Sequence, residues 1–290
     1  WPIRSLQLQN DGKIIVVRTE YNGFARSVIR RLNTNGTIDT TAFGLGEIQY
    51  GEVHKSILQP DGKLILCGDF TYSDVTTISS DDLVRINTDG TIDQTFAGGI
   101  YFNFPTLGLG IRDLKLDAQG KILVGGEFDG FNSNNKKGII RFNSNGTMDS
   151  TFNTGTGMNG YVYSIAIQPD NKIVVGGDFQ YYQGTYANGI IRLNPDASID
   201  AYFQLPGAFR PITHINILPD NRIVFLGNNT FPALTNAFVR LNSNGTLDTV
   251  TDGLDVAGQG FNNFTQFKTL GSGKMVVIGQ FEDFQGKYKG

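Results

Sequence analysis

Cysteine and histidine are scarce in this chain, and each scarcity excludes a class of chemistry. Cys67 is the only cysteine in 290 residues, so no intramolecular disulfide and no cysteine-built metal cluster can form. It ends the run Leu64-Ile65-Leu66-Cys67-Gly68 and reads as a small buried hydrophobe. His54 and His214 are the only histidines. They fall in different repeats, too far apart to share a zinc ion, and neither has an H-x-H or H-E-x-x-H context. No apolar run approaches the ~20 residues of a membrane helix, so no membrane insertion is expected.

Positive charge is also thin. The net charge is -3, and the Lys136-Lys137 pair is the nearest approach to a basic patch, so no nucleic-acid partner is expected. No nucleophile elbow or phosphate-cradling G-x-x-x-x-G-K-[ST] is present, and Gly108-Leu109-Gly110 lacks the helix that a dinucleotide loop needs. No cofactor is expected. The chain opens on Trp1 rather than Met and stops inside a repeat, which reads as a fragment of a longer chain.

What is abundant is glycine, with 37 residues, and repetition. Residues 164–203 form the clearest unit. An alternating run leads to the turn Pro169-Asp170-Asn171, and a β-branched run closes on Gly176-Gly177-Asp178-Phe179. After a loop come Ile190-Ile191-Arg192-Leu193-Asn194, a second turn, and Ile199-Asp200 before Phe203. Period-two alternation between turn residues predicts four short antiparallel strands.

The first turn recurs at Lys13, Lys63, Lys121, Lys172, Arg222 and Lys274. The second signature recurs as Arg31…Asp39, Arg85…Asp93, Arg141…Asp149, Arg192…Asp200 and Arg240…Asp248. A period of about 50 residues indicates a solenoid, propeller or array. The repeats run approximately 1–47, 48–105, 106–158, 159–208 and 209–258, with a partial sixth at 259–290. Gly12, Gly62 and Gly120, replaced by Asn171 and Asn221, mark a turn position that needs positive φ.

The combination of a Q-P-D-G-K turn, a G-G-D-F strand end and R-L-N-x-D-G-x-x-D-x-x-F resembles the delta-60 repeat family, and more loosely the NHL-type β-propellers. The likeness spans nearly the whole chain. It implies an all-β fold: one β-propeller domain over 1–290, with four-stranded antiparallel blades, five complete and a sixth truncated. It says little about chemistry.

In such a fold the two short turn types share one face, and the loops of variable length share the other. Those loops are 72–82, 129–137, 180–188 and 281–290, with links at 98–110, 153–160 and 252–263. Long divergent loops on a rigid scaffold are where binding resides. They carry Tyr72, Tyr101, Phe102, Phe104, Phe131, Tyr181, Tyr182, Tyr186, Phe284 and Tyr288. Two readings stand side by side: Phe131, Tyr182 and Phe284, in a repeated F-x-x-[FY] place, plug each loop onto its sheet, whereas Tyr72, Tyr181, Tyr186 and Tyr288 meet a ligand.

Superposed repeats bring Thr19, Asp69, Glu127, Asp178, Asn228 and Gln280 to equivalent strand ends near the loop face. Asp69, Glu127 and Asp178 there are candidate ligand contacts, or an acid and base, or structural acceptors for loop N–H groups. The repeated Arg and Asp form either an anion site or a brace within each hairpin. Residues 85–96 superficially match a calcium loop, but Arg85 and Phe96 stand where carboxylates are required, so no metal site is expected.

The functional expectation from sequence is a non-catalytic binding or structural module on an extracellular, cell-surface or virion protein. Its partner would be a protein or a glycan on the loop face, or other copies or neighbouring surface proteins. One alternative is a carbohydrate-active hydrolase or lyase using the propeller funnel with Asp69, Glu127 or Asp178. The other is a self-assembling filament or coat component completed by strands of another chain.

Overall fold

A computed structural model describes residues 2–21, 23–40, 50–73, 78–79, 82–96, 102–105, 110–132, 134–204, 209–229, 235–248, 264–269, 275–279, 283–284 and 287–288. Residues 50, 71–73, 78–79, 228–229, 235–238 and those after 263 are described by backbone alone. All regular structure among them is β-strand. No helix is long and apolar enough to cross a membrane. The chain divides into two compact units, 1–150 and 151–290.

The first unit holds three repeats. The first is β1 (Ile3–Leu8), β2 (Ile14–Tyr21) and β3 (Ala25–Leu32), an antiparallel sheet in sequence order. The second is β4 (Tyr50–Leu58), β5 (Leu64–Ser73) and β7 (Leu83–Ile86), with the short β6 (Ile78–Ser79) also on β5. In the third, β9 (Ile111–Leu116), β10 (Ile122–Gly126) and β12 (Ile139–Phe142) form the sheet, while β8 (Phe102–Asn103) pairs with β11 (Gly130–Phe131).

The second unit repeats the plan with β13 (Tyr161–Ile167), β14 (Ile173–Asp178) and β17 (Ile190–Leu193). A hairpin of β15 (Tyr181–Tyr182) and β16 (Thr185–Tyr186) follows β14. Next come β18 (Phe209–Ile217), β19 (Ile223–Asn229) and β20 (Thr235–Leu241). β21 (Phe264–Thr269) pairs with β22 (Met275–Gly279), and β23 (Asp283–Phe284) with β24 (Lys287–Tyr288).

The predicted fourth strand exists as a single bridge in each complete repeat: Leu32 to Ile38, Ile86 to Ile92, Phe142 to Met148, Leu193 to Ile199 and Leu241 to Leu247. The second turn comes so soon after the third strand that one residue pairs before the chain leaves. The first turn has positive φ at Gly12, Gly62, Gly120, Asn171 and Asn221, as read from sequence.

Alternation places the core between successive sheets. Ile15, Val17 and Ile29 of the first repeat pack on Leu64, Leu66, Val84 and Ile86 of the second. Ile65 and Cys67 on the other face of the second meet Leu114, Ile122, Val124 and Phe142 of the third. In the second unit Ala166, Val174 and Ile190 meet Ile215, Ile223, Phe225 and Leu241. Each large side chain so buried contributes about 1.5–3 kcal/mol, which explains why apolar residues occupy both faces of the middle strand in each complete repeat.

One ion-pair cluster recurs at the turn end. The Asp of the second turn receives Arg Nε from its own repeat and the cation of the first turn: Asp39 from Arg31 and Lys13, Asp93 from Arg85 and Lys63, Asp149 from Arg141 and Lys121, Asp200 from Arg192 and Lys172, Asp248 from Arg240 and Arg222. Both turn families therefore lie at one end of each sheet, as the sequence reading requires. The Arg also reaches the next repeat, Arg85 Nη1 donating to Ser144 O at 2.6 Å and Arg192 Nη1 to Ser243 O. The guanidiniums of Arg85 and Arg192 cover the rings of Phe96 and Phe203 at 4.5 and 4.8 Å. Of the two sequence readings, the brace is the one realised, because each guanidinium is committed to its own repeat's carboxylate.

Candidate functional site

The opposite end of each sheet is built on a β-bulge. The first strand gains one residue against the second at Arg4, His54, Arg112 and Tyr163, where the register skips from Ile3 to Ser5, Val53 to Lys55, Ile111 to Asp113 and Val162 to Ser164. A bulge re-aims the extra side chain. Crowding opposite the bulge calls for glycine: a Cβ on Gly68 would lie 2.0 Å from Glu52 O, and one on Gly177 would lie 2.0 Å from Tyr161 O. That close approach is the physical reason for the G-G-D strand end.

In two repeats the bulged side chain bonds the strand-end residue that superposition picked out. Arg4 Nε donates to Thr19 Oγ1 at 3.0 Å, and Arg112 Nε to Glu127 Oε1 at 2.9 Å. Glu127 is 2% exposed and is a structural acceptor in this clamp. In the second repeat the equivalent pair is His54 and Asp69. Asp69 stands directly across β4 and β5 from Glu52, so two carboxylates and an imidazole occupy one strand end. Glu52 in turn accepts Arg4 Nη2 at 2.5 Å and the Tyr21 hydroxyl.

His54 Nδ1 lies 2.9 Å from the Ile111 carbonyl. A carbonyl only accepts, so Nδ1 carries the proton and Nε2 holds the lone pair of the neutral ring. Burial pulls the His54 pKa below the ordinary imidazole value, with Arg112 pushing the same way, while the Ile111 hydrogen bond and the Glu52 and Asp69 charges act against them. The hydrogen bond to Glu52 holds the Tyr21 phenol up, so it stays protonated. The arrangement offers a neutral imidazole that feels the Asp69 and Glu52 charges, with the Tyr21 phenol bonded to Glu52.

Other residues singled out from sequence are placed as follows. Asp178 pairs with Arg210 at 3.0 Å. Tyr181 and Tyr186 are exposed and face each other across their hairpin. Phe131 and Tyr182 are buried plugs, Tyr182 donating to Ala197 O at 2.8 Å. Phe102 joins the same core, with ring centroids 4.9 Å from Phe128 and 5.5 Å from Phe131. The side chains of Tyr72, Phe284, Tyr288 and Asn228, and all of Tyr101 and Gln280, lie outside the described residues. Among the described residues no three His, Cys, Asp or Glu side chains are grouped to hold a metal ion.

Sequence reasoning passed over His54 because it sought a second histidine. Its one available signal was a titratable residue two places before Ser56 where the equivalent positions carry Arg4, Arg112 and Tyr163. That signal gains meaning only once the bulge is known.

The model of a beta-propeller domain of unknown function (DUF5122) matches residues 9–41, 59–96, 119–152, 168–203 and 218–249. This bears out propeller repeats, without the delta-60 name. No curated protein matches the sequence. Among solved structures the chain is similar to a protein described as an oxidoreductase (glucose dehydrogenase) from Thermus thermophilus, at 16% identity over 94% of this chain and 88% of that one, TM-score 0.47. It is similar to a gluconolactonase from Xanthomonas campestris at 12% identity over 82% and 71%, TM-score 0.45. PorZ, a surface component of the type-IX secretion system of Porphyromonas gingivalis, is 12% identical over 83% of this chain, TM-score 0.43, and the chain spans only 40% of its length.

The expected non-catalytic binding or structural module is corrected by these comparisons, whose similar folds are named as gluconolactonases and glucose dehydrogenases. At such identities the likeness is one of fold, and chemistry has to be argued from the chain's own residues.

Proposed function

The chain belongs to the DUF5122 beta-propeller family, and from that premise we propose that it is a carbohydrate-active enzyme, a hydrolase or lyase whose proton transfers run through His54. The repeats supply an internal control. Scaffold residues recur in every blade, whereas an active site appears once. In unit 1 the bulge and strand-end pair is a guanidinium clamp at Arg4 and Thr19 and again at Arg112 and Glu127. The same place in the second repeat holds His54 with Asp69 and, across the strand pair, Glu52. That break in the pattern of unit 1 carries the proposal; the fourth repeat also departs from the clamp, with Tyr163 rather than an imidazole at the bulge.

In this reading Nε2 of His54 takes the proton, from water in a hydrolase or from the carbon beside a sugar carboxylate in a lyase, and the imidazolium so formed, beside the Asp69 charge, returns it to the leaving oxygen. Arg4 and Tyr21 hold Glu52 in place, so the charge beside the imidazole is fixed before substrate arrives. The acid roles assigned from sequence to Glu127 and Asp178 are not part of it, since each is tied to an arginine.

The test is a panel of plant, algal and bacterial polysaccharides, assayed for new reducing ends and for the ultraviolet absorbance of an unsaturated product. Fragment release reduced about 100-fold or more in His54→Gln supports the reading. No release from any polymer, or release unchanged in His54→Gln, overturns it.

A further inference from the structure

We infer that the hairpin at residues 181–186 is a sugar-binding platform, an inference that rests on other observations than those made at His54. Tyr181 and Tyr186 are cross-strand partners with ring centroids 5.8 Å apart at 71°. They are 41% and 54% exposed. Gln183 and Gly184 both have positive φ, 50° and 78°, which is the tight two-residue turn that suits the twist of a short hairpin.

The rings are exposed but the backbone beneath them is held firmly. Asn159 Oδ1 accepts the N–H groups of Gln180 and Tyr181, each at 2.8 Å, and its own N–H donates to Tyr181 O at 3.0 Å. Gln183 N donates to Gly157 O at 3.0 Å. Tyr182, between the two exposed rings, is fully buried and anchored to Ala197 O. A pair of flat rings on a backbone that need not be ordered on binding is pre-organised, so little entropy is lost when a ligand stacks.

The third repeat shows what the hairpin is without this function. There Gly130 stands where Tyr181 does, and Gly130 and Phe131 are both buried. A Cβ on Gly130 would lie 2.8 Å from Asn134 O, so the ordinary turn closes too tightly for a side chain. The fourth repeat is opened to admit one ring and adds a second opposite it.

The surroundings select the ligand class. Gln180, Gln183 and Thr185 beside the rings are exposed and polar. A protein hot spot sits inside an apolar patch that excludes water, whereas the described residues flanking these rings in the hairpin are exposed and polar. A pyranose presents C–H faces to aromatic rings and hydroxyls to amides and alcohols at its edge, which fits this pairing.

Cellohexaose, xylohexaose, mannohexaose and chitohexaose are to be titrated against the intact chain by calorimetry. Binding of at least one, weakened about tenfold by Tyr181→Ala and by Tyr186→Ala with unchanged melting, is the expected result. Tyr202→Ala, which removes an exposed ring outside the hairpin, should bind as wild type. Tyr186→Trp should keep binding and report it by a fluorescence shift. No binding by any of the four sugars, binding indifferent to both alanine variants, or no fluorescence response in Tyr186→Trp overturns the inference.

Discussion

Lys63 Nζ lies 2.6 Å from Asp93 Oδ2, although the two residues sit in different turns thirty positions apart. This contact ties the two corners of one repeat together, and Arg85 on the same carboxylate carries the tie to the neighbouring repeat. The cluster is therefore a clamp both within and between sheets.

Burial alone would raise the Asp93 pKa, but hydrogen bonds from Lys63 and Thr95 and the Arg85 charge overcome it and leave the carboxyl below its ordinary value. A folded-state pKa below the unfolded ~3.9 stabilises the fold above about pH 4, and that contribution is lost as pH falls through the folded value. Asp93→Asn should cost about 3 kcal/mol at neutral pH by leaving two cations beside an uncharged amide. Its stability should also fall less steeply than wild type below pH 4. Urea melts across pH 2–7 measure both.

For His54, the depressed pKa keeps the ring neutral below the ~6.5 of a free imidazole. The rate of any glycan cleavage should stay level from neutral pH down past 6.5 and drop only when the folded pKa is crossed. Unfolded His54 takes up a proton first, so wild type should lose stability relative to His54→Gln as pH falls below 6.5. A pH–rate profile with paired denaturation curves checks the two signs.

Gly68→Ala places a methyl where the Glu52 carbonyl already stands. Since the obstacle is backbone, the strand must shift, at a cost of about 1–3 kcal/mol. Glu52 and His54 move with that strand, so cleavage should fall by more than the loss of folded protein explains. Melting temperature and specific activity, measured on the same preparation, separate the two effects.

Tyr182→Phe removes the donor to the buried Ala197 carbonyl while keeping the ring. The expected loss is about 1 kcal/mol, with faster hydrogen exchange across residues 180–187. Chemical denaturation and exchange mass spectrometry give the two readouts.

Composition and periodicity alone determined a great deal. Alternation, turn chemistry and recurrence are local properties, so the first three strands of each complete repeat, the positive-φ turn positions and the propeller repeats were legible in the sequence, whereas the repeated Arg and Asp left a brace and an anion site both open until the ion pairs chose the brace. Only the tertiary structure decided which acids are spoken for. Glu127 and Asp69 occupy the same place in their repeats, but whether a carboxylate is clamped depends on the side chain that a bulge turns toward it. A bulge is a one-residue offset between two strands, and the glycine opposite it marks the crowding without telling which side chain the bulge turns. For the rings, the F-x-x-[FY] place already set Tyr182 apart from Tyr181 and Tyr186, and the fold decided that it is buried, because alternation across the hairpin sends its neighbours to the other side.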